Sequence, residues 1–225
     1  MLVAIEGIDG AGKKTQAELL KEQATNAGLH AEVLSFPRYG ETLFAKSVAS
    51  YLNGEFGDLS IVPPQFAALL YAGDRFESSA KIRQLITSCD LVIFDRYVAS
   101  NLAHQAAKMK TDERLSFITW LAEIEYKIFE VPKAELTIYL DVPANIGSRM
   151  VTLKRPRDYT EHQVDLHERD INYLTACRET YQYLASLHYC SDWHTVECID
   201  SSGELRKPSE IGGDVWALVS GNLSA

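Results

Sequence analysis

Cysteine is scarce in this chain, and its few cysteines follow no pattern. Cys89, Cys177, Cys190 and Cys198 form no CxxC pair and no metal-ligand spacing, which argues against a disulfide framework or a zinc site and leaves buried, reduced thiols as the expectation. Positive charge is in deficit: 22 Lys and Arg stand against 31 Asp and Glu, for a formal net charge of -9. Binding to nucleic acid or an anionic membrane draws its energy from clustered Lys and Arg that displace counterions, so neither partner is expected. A small anion can still bind in a local basic pocket. Long apolar runs are missing too. The N-terminal one, Leu2 to Ile5, stops at Glu6, far short of a signal peptide's hydrophobic segment or a membrane span, so the expected location is cytoplasmic. There is no internal repeat, no low-complexity tract and no N-K-x-D motif of the kind that reads guanine.

Short apolar runs rich in β-branched residues occur at Leu2 to Ile5, Ala31 to Phe36, Leu91 to Phe94, Leu136 to Leu140 and Thr195 to Ile199. They read as buried parallel strands. Stretches of helical spacing separate them; in the first, Ala17, Leu20, Ala24 and Ala27 run up to Gly28, a C-terminal glycine stop. The alternation predicts an α/β fold, a five-stranded parallel sheet flanked by helices, and 225 residues with 46% hydrophobic content suffice for one domain over 1–225. From Glu113 to Glu130 the sequence predicts one long helix projecting Phe117, Trp120, Leu121, Ile124, Tyr126 and Ile128, more apolar surface than a single buried stripe needs. Two readings fit the excess: a subunit interface, which would make the protein a homodimer, or a core helix of a large domain.

The strongest motif is Gly7-Ile8-Asp9-Gly10-Ala11-Gly12-Lys13, a match to G-x-x-x-x-G-K between the first strand and the first helix, where a phosphate-binding loop must lie. Its glycines let successive backbone N–H groups point at phosphate oxygens, and the helix that follows adds the positive end of its dipole. A three-layer P-loop NTPase fold follows, with ATP on the loop from Gly7 to Thr15 and Lys13 as a point charge for the β- and γ-phosphates. Lys14 stands where a Ser or Thr hydroxyl would coordinate Mg2+. Three consequences are open: water and a carboxylate hold the ion, the Lys14 ammonium offsets phosphate charge, or turnover is lost. Thr15 keeps a hydroxyl near the helix start.

The strand at Leu91 ends in Asp95 and Arg96, at the carboxyl edge of the sheet where open α/β proteins bind ligands. Asp95 can order a metal-bound water, and Arg96 can fork onto a second phosphate in a geometry that Lys does not reproduce. A loop spelling EGIDGAGKKTQ, followed by FPRYG, YAGDR and DRYVASN in this order, resembles thymidylate kinase from Met1 to about Asp170. The resemblance implies ATP-dependent phosphorylation of dTMP to dTDP, with Mg2+ as cofactor. It also implies that Arg75 of YAGDR reads the thymine edge and Tyr71 stacks on the ring, with Phe36, Arg38 and Tyr39 in the same pocket. Arg96 holds the monophosphate, Asn101 contacts it or the base, and Asp9 bonds the 3′-hydroxyl or holds the metal with Asp95. His104 and His167, placed beside the substrate, stand where family members often carry Tyr, a departure that bears on the exclusion of ribose.

Leu153-Lys154-Arg155-Pro156-Arg157-Asp158 interrupts the helical periodicity with three cations and a proline. With the motifs upstream, it predicts a short basic lid over 153–164 that brings Arg155 and Arg157 onto the transferring phosphoryl group and shuts out water. Asp165 and Glu168, one turn apart on a following helix, are further metal-ligand candidates. Ala11 stands where some family members place an arginine, which leaves the lid to supply one; Arg149 either assists or is structural. Two alternatives are carried beside this reading: a kinase for another nucleoside monophosphate, and a nucleotide-binding switch that does not turn over.

Overall fold

The structure, a computed structural model, describes residues 1–58, 61–153 and 170–223. Strands β1 (Leu2–Glu6), β2 (Ala31–Ser35), β3 (Leu91–Asp95), β4 (Leu136–Asp141) and β5 (Asp192–Glu197) form one sheet in the order β2-β3-β1-β4-β5. Every pairing is parallel, with Leu2 opposite Val92 and Val3 opposite Leu136 setting the central register. Helices cover both faces. Of these, α1 (Lys13–Asn26) packs with α9 (Pro208–Leu223), and α5 (Val98–Ala106) with α8 (Ile171–Ser186). Because β1, β3 and β4 are buried almost throughout, they read in sequence as unbroken apolar runs. At the edge, β5 buries Trp193 and Val196 and turns Asp192, Thr195 and Glu197 outward. That alternation explains a displaced boundary. The sequence places this strand at Thr195 to Ile199, drawn by Cys198 and Ile199, whereas Ile199 makes an isolated antiparallel bridge to Leu205.

Helix α1 closes as its sequence predicts: Gly28 takes φ +85°, and the Leu29 N–H returns to the Ala24 carbonyl at 3.0 Å. Beyond β2, α2 (Leu43–Leu52), α3 (Pro64–Glu77) and α4 (Ser79–Ser88) follow. A small second core of Val48, Tyr51, Leu52, Val62, Ala67 and Leu70 clamps α2 to α3. The helix predicted from Glu113 to Glu130 changes pitch partway: α6 (Arg114–Glu123) runs into a π-helical turn, Ile124–Ile128. Phe117, Leu121 and Ile124 are buried and Ile128 is exposed, so this element serves mainly the core. Helix α3 exposes three large apolar side chains, Phe66, Leu69 and Phe76. After β4 comes α7 (Ala144–Thr152). All four cysteines are free thiols; Cys177 and Cys198 are buried as expected, whereas Cys89 and Cys190 are partly exposed. Among the described residues no helix is long and apolar enough to cross a membrane.

Candidate active site

A cleft of about 660 Å³ opens at the carboxyl ends of β1 and β3, beside the point from which the chain winds outward in both directions. Its floor is the glycine loop. Gly10 and Gly12 adopt left-handed backbone angles, φ +85° and +87°, which point the loop's amides inward. Gly10 also lies directly against α7, where a Cβ would stand 2.1 Å from the Gly147 carbonyl oxygen, so loop and helix meet backbone to backbone. Lys13 is buried, and its ammonium folds across the loop to donate to the carbonyls of Gly7 at 2.9 Å and Ile8 at 2.7 Å. Asp9, Gly10, Gly12, Lys13, Lys14 and Thr15 face the cleft, while Gly7, Ile8 and Ala11 are buried outside its lining.

The opposite wall carries a second cation. Arg96, at φ +66° just after β3, donates through Nη2 to Asp9, and through Nη1 to Ser100 Oγ at 3.1 Å. Nη1 also reaches His104 Nε2 at 3.2 Å. An imidazole nitrogen facing a guanidinium must accept, so His104 is neutral with its proton on Nδ1, toward the Tyr173 hydroxyl at 3.2 Å. Burial, aided by the Arg96 charge, holds the His104 pKa down to about 3, in keeping with that tautomer. Beneath Arg96 lies Glu6, fully buried at the end of β1. Its carboxylate accepts from the backbone N–H of Tyr97 at 2.7 Å and Ser100 at 3.1 Å, from Ser100 Oγ at 2.6 Å and from the Tyr181 hydroxyl at 3.0 Å. Helix α5 has no side-chain cap of its own, and Glu6 supplies one from the neighbouring strand.

The apolar end of the cleft is lined by Phe36, Tyr39 and Tyr71, with Arg75 and Asn101 beside them. Arg75 is buried and forks onto Glu125 of the π-turn, Nε to Oε2 at 2.9 Å and Nη2 to Oε1. Burial opposes the Arg75 charge, and the Glu125 carboxylate more than compensates, raising the guanidinium pKa above its ordinary value. Two sequence motifs are tied together here. Asp74 of YAGDR accepts from the Arg38 backbone N–H of FPRYG at 2.9 Å and from the Thr42 hydroxyl. The Arg38 guanidinium is thereby drawn to Ser78 at 3.2 Å and to Glu41, and it does not line the cleft, contrary to the sequence expectation.

The loop, the two arginines and the aromatic pocket thus share one cleft. A thymidylate kinase family model matches residues 5–201. The chain belongs to the thymidylate kinase family. Thymidylate kinase of Mycobacterium tuberculosis (strain ATCC 25618 / H37Rv) is 35% identical over 205 residues, covering 91% of this chain and 95% of that one. A probable thymidylate kinase of Pyrobaculum aerophilum is 30% identical over 219 residues, covering 96% and 95%. A solved thymidylate kinase structure from Candida albicans shares the fold, with a TM-score of 0.72 over 98% of this chain and 91% of that chain at 21% identity. The family's reaction is ATP-dependent phosphorylation of dTMP, and this chain is a phosphotransferase of that kind.

Within this thymidylate kinase fold, several cleft residues have no counterpart in the sequence assignments. Ser100, Gln105, Lys108 and Tyr173 line the cleft, while Glu6 and Glu125 support it from beneath. Arg155, Arg157, Asp165, His167 and Glu168, with the lid segment 154–164, lie outside the described residues. For a metal, Asp95 and Asp9 are the cleft carboxylates, and no cluster of three His, Cys, Asp or Glu forms a self-contained cage among the described residues. This donor set fits Mg2+, a hard ion that binds through one or two carboxylates, its own waters and substrate phosphates. Asp95 makes no side-chain hydrogen bond among the described residues, whereas Asp9 is engaged by Arg96. Lys14 is exposed and lines the cleft on the solvent side.

Proposed function

We propose that this member of the thymidylate kinase family converts dTMP to dTDP with the two nucleotides end to end in the 660 Å³ cleft, ATP on the loop from Gly7 to Thr15 and the monophosphate on Arg96. The observation that carries the reading is the convergence on one opening of Lys13, which begins α1, and Arg96, which follows β3. A nucleoside monophosphate is largely ionised near neutrality, so its oxygen attacks in line without an enzyme base, and the protein's task is positioning and charge neutralisation. Lys13 meets the donor phosphates. Arg96, held by Asp9, Ser100 and His104, orients the acceptor. Tyr71 stacks on the base and Phe36 lines the same pocket, with Arg75 and Asn101 at the base edge.

Asp95, with Asp9, would hold Mg2+, which supplies charge neutralisation between the donor phosphates when bound. On the strength of the sequence alone, Arg155 and Arg157 of the lid over 153–164 complete the positive charge around the transferred group. We place the protein in the cytoplasm as a homodimer. The apolar side chains exposed on α3 support the second point, and sedimentation equilibrium decides it.

A coupled assay with dTMP, dUMP, dCMP, dGMP and AMP tests the central reading. We expect dTMP to lead every other acceptor in kcat/KM; a purine acceptor in first place would remove the thymidylate assignment. ATP binding with no ADP release for any acceptor would favour the switch.

A further inference from the structure

Glu125 belongs to no recognised motif, yet it is fully buried on the π-turn where the α-helical ladder of α6 gives way. Such a turn re-aims a side chain out of helical phase and is often found at functional sites. Its carboxylate serves two residues of the cleft at once. Besides the fork from Arg75, Oε1 accepts from Asn101 Nδ2 at 3.0 Å, and that same nitrogen donates to the Ala68 carbonyl at 2.9 Å. Both partners of Nδ2 are pure acceptors, so the Asn101 amide has one chemically consistent orientation. The other end, Oδ1, is buried and has no partner among the described residues. A buried carbonyl oxygen left unpaired beside a cleft is an acceptor awaiting a donor.

We propose that Glu125 is a specificity-determining positioning residue: by accepting from Arg75 and Asn101 together, it presents a carbonyl acceptor next to a guanidinium donor at the base edge. This rests on the base-pocket assignment of Arg75 and Asn101 made above. Thymine offers N3–H as donor and O4 as acceptor, which match that pair. Cytosine offers an unprotonated N3 and an amino group, which oppose both. Glu125 therefore sets the choice between pyrimidines without touching either.

Glu125→Gln is the informative variant because it keeps the shape and removes the second acceptor. Oε1 is the oxygen that Arg75 Nη2 and Asn101 Nδ2 share, so the glutamine carbonyl takes that place and its amino group stands against the Arg75 Nε–H, which pushes the guanidinium off the base edge while Asn101 keeps its bond. We expect kcat/KM for dTMP to fall about tenfold or more while that for dCMP holds or rises, so that their ratio narrows at least about tenfold, with KM for ATP within about twofold. An unchanged ratio, whether both acceptors fall together or neither does, overturns the proposal and makes Glu125 mere support. Should Glu125→Gln fail to melt cooperatively, the same ratio is read in Glu125→Asp, whose shorter arm draws the shared oxygen back from Arg75 and Asn101. The same narrowing is required there. Unaltered protein is assayed in parallel: no dTMP turnover in it defeats the functional reading, whereas turnover with an unchanged ratio in the variant defeats this inference alone.

Discussion

Replacing Lys13 with methionine is expected to lower kcat for dTMP phosphorylation by roughly 10²–10³, the loss typical when one preorganised donor to a developing charge is removed. The substitution isolates the charge. The Lys13 stem is buried, and methionine is an unbranched, adaptable chain that can fill the same slot. The ammonium is lost, and with it the bonds to the Gly7 and Ile8 carbonyls, which hold the loop closed on itself. Leaving those buried carbonyls unpaired costs about 1–3 kcal/mol each, so kcat is compared well below the variant's own thermal midpoint. Steady-state kinetics with a melting curve on the same sample check the result, and a kcat within about threefold of the unaltered protein would mean that Lys13 does not face the donor phosphates.

Arg96→Met is expected to raise KM for dTMP by roughly 10²–10⁴, since two charge-assisted bonds to a phosphate at about 1.5–3 kcal/mol each are removed together. KM for ATP should shift by no more than a few-fold. Arg96→Lys should recover little, because a single ammonium does not supply the planar fork that spans Asp9 on one side and Ser100 with His104 on the other. A second readout follows from His104. Its pKa is held down first by burial and then by the Arg96 charge, so Arg96→Met should move the imidazole titration upward from about 3, toward its ordinary value. Equal losses for ATP and dTMP, with an unmoved imidazole, would place Arg96 in a structural role.

Much of this was legible before any coordinates, for physical reasons that vary by element. The strands β1, β3 and β4 announce themselves because burial on both faces demands an unbroken apolar run. The edge strand β5 does not, since half of its residues face outward. The glycine loop is legible because a backbone cradle for phosphate needs residues that accept positive φ at fixed spacing, and Gly10 and Gly12 do so. Arg75 and Arg96 were legible as cations. Their supports were not: an acid inside an apolar stretch, such as Glu6 after Leu2 to Ile5 or Glu125 after Ile124, carries no sign of what it will meet across the fold. The π-turn compounds this for Glu125, because it shifts the phase on which helical pattern reading depends. Arg38 shows the reverse error. Its motif places it near the base, but Asp74, one residue before Arg75, fixes its backbone and sends the side chain toward Ser78 and Glu41.

Direct transfer requires donor and acceptor to lie head to head in one continuous cleft, with the loop at one end and Arg96 beyond it. An adenosine and a deoxythymidine joined 5′ to 5′ through five phosphates would occupy both ends at once. Isothermal titration should show one such molecule bound per chain, at least about a hundredfold more tightly than ATP or dTMP alone, because the second contact becomes intramolecular. Affinity no better than that of the stronger single nucleotide, or ATP and dTMP each still binding freely in its presence, would contradict the arrangement.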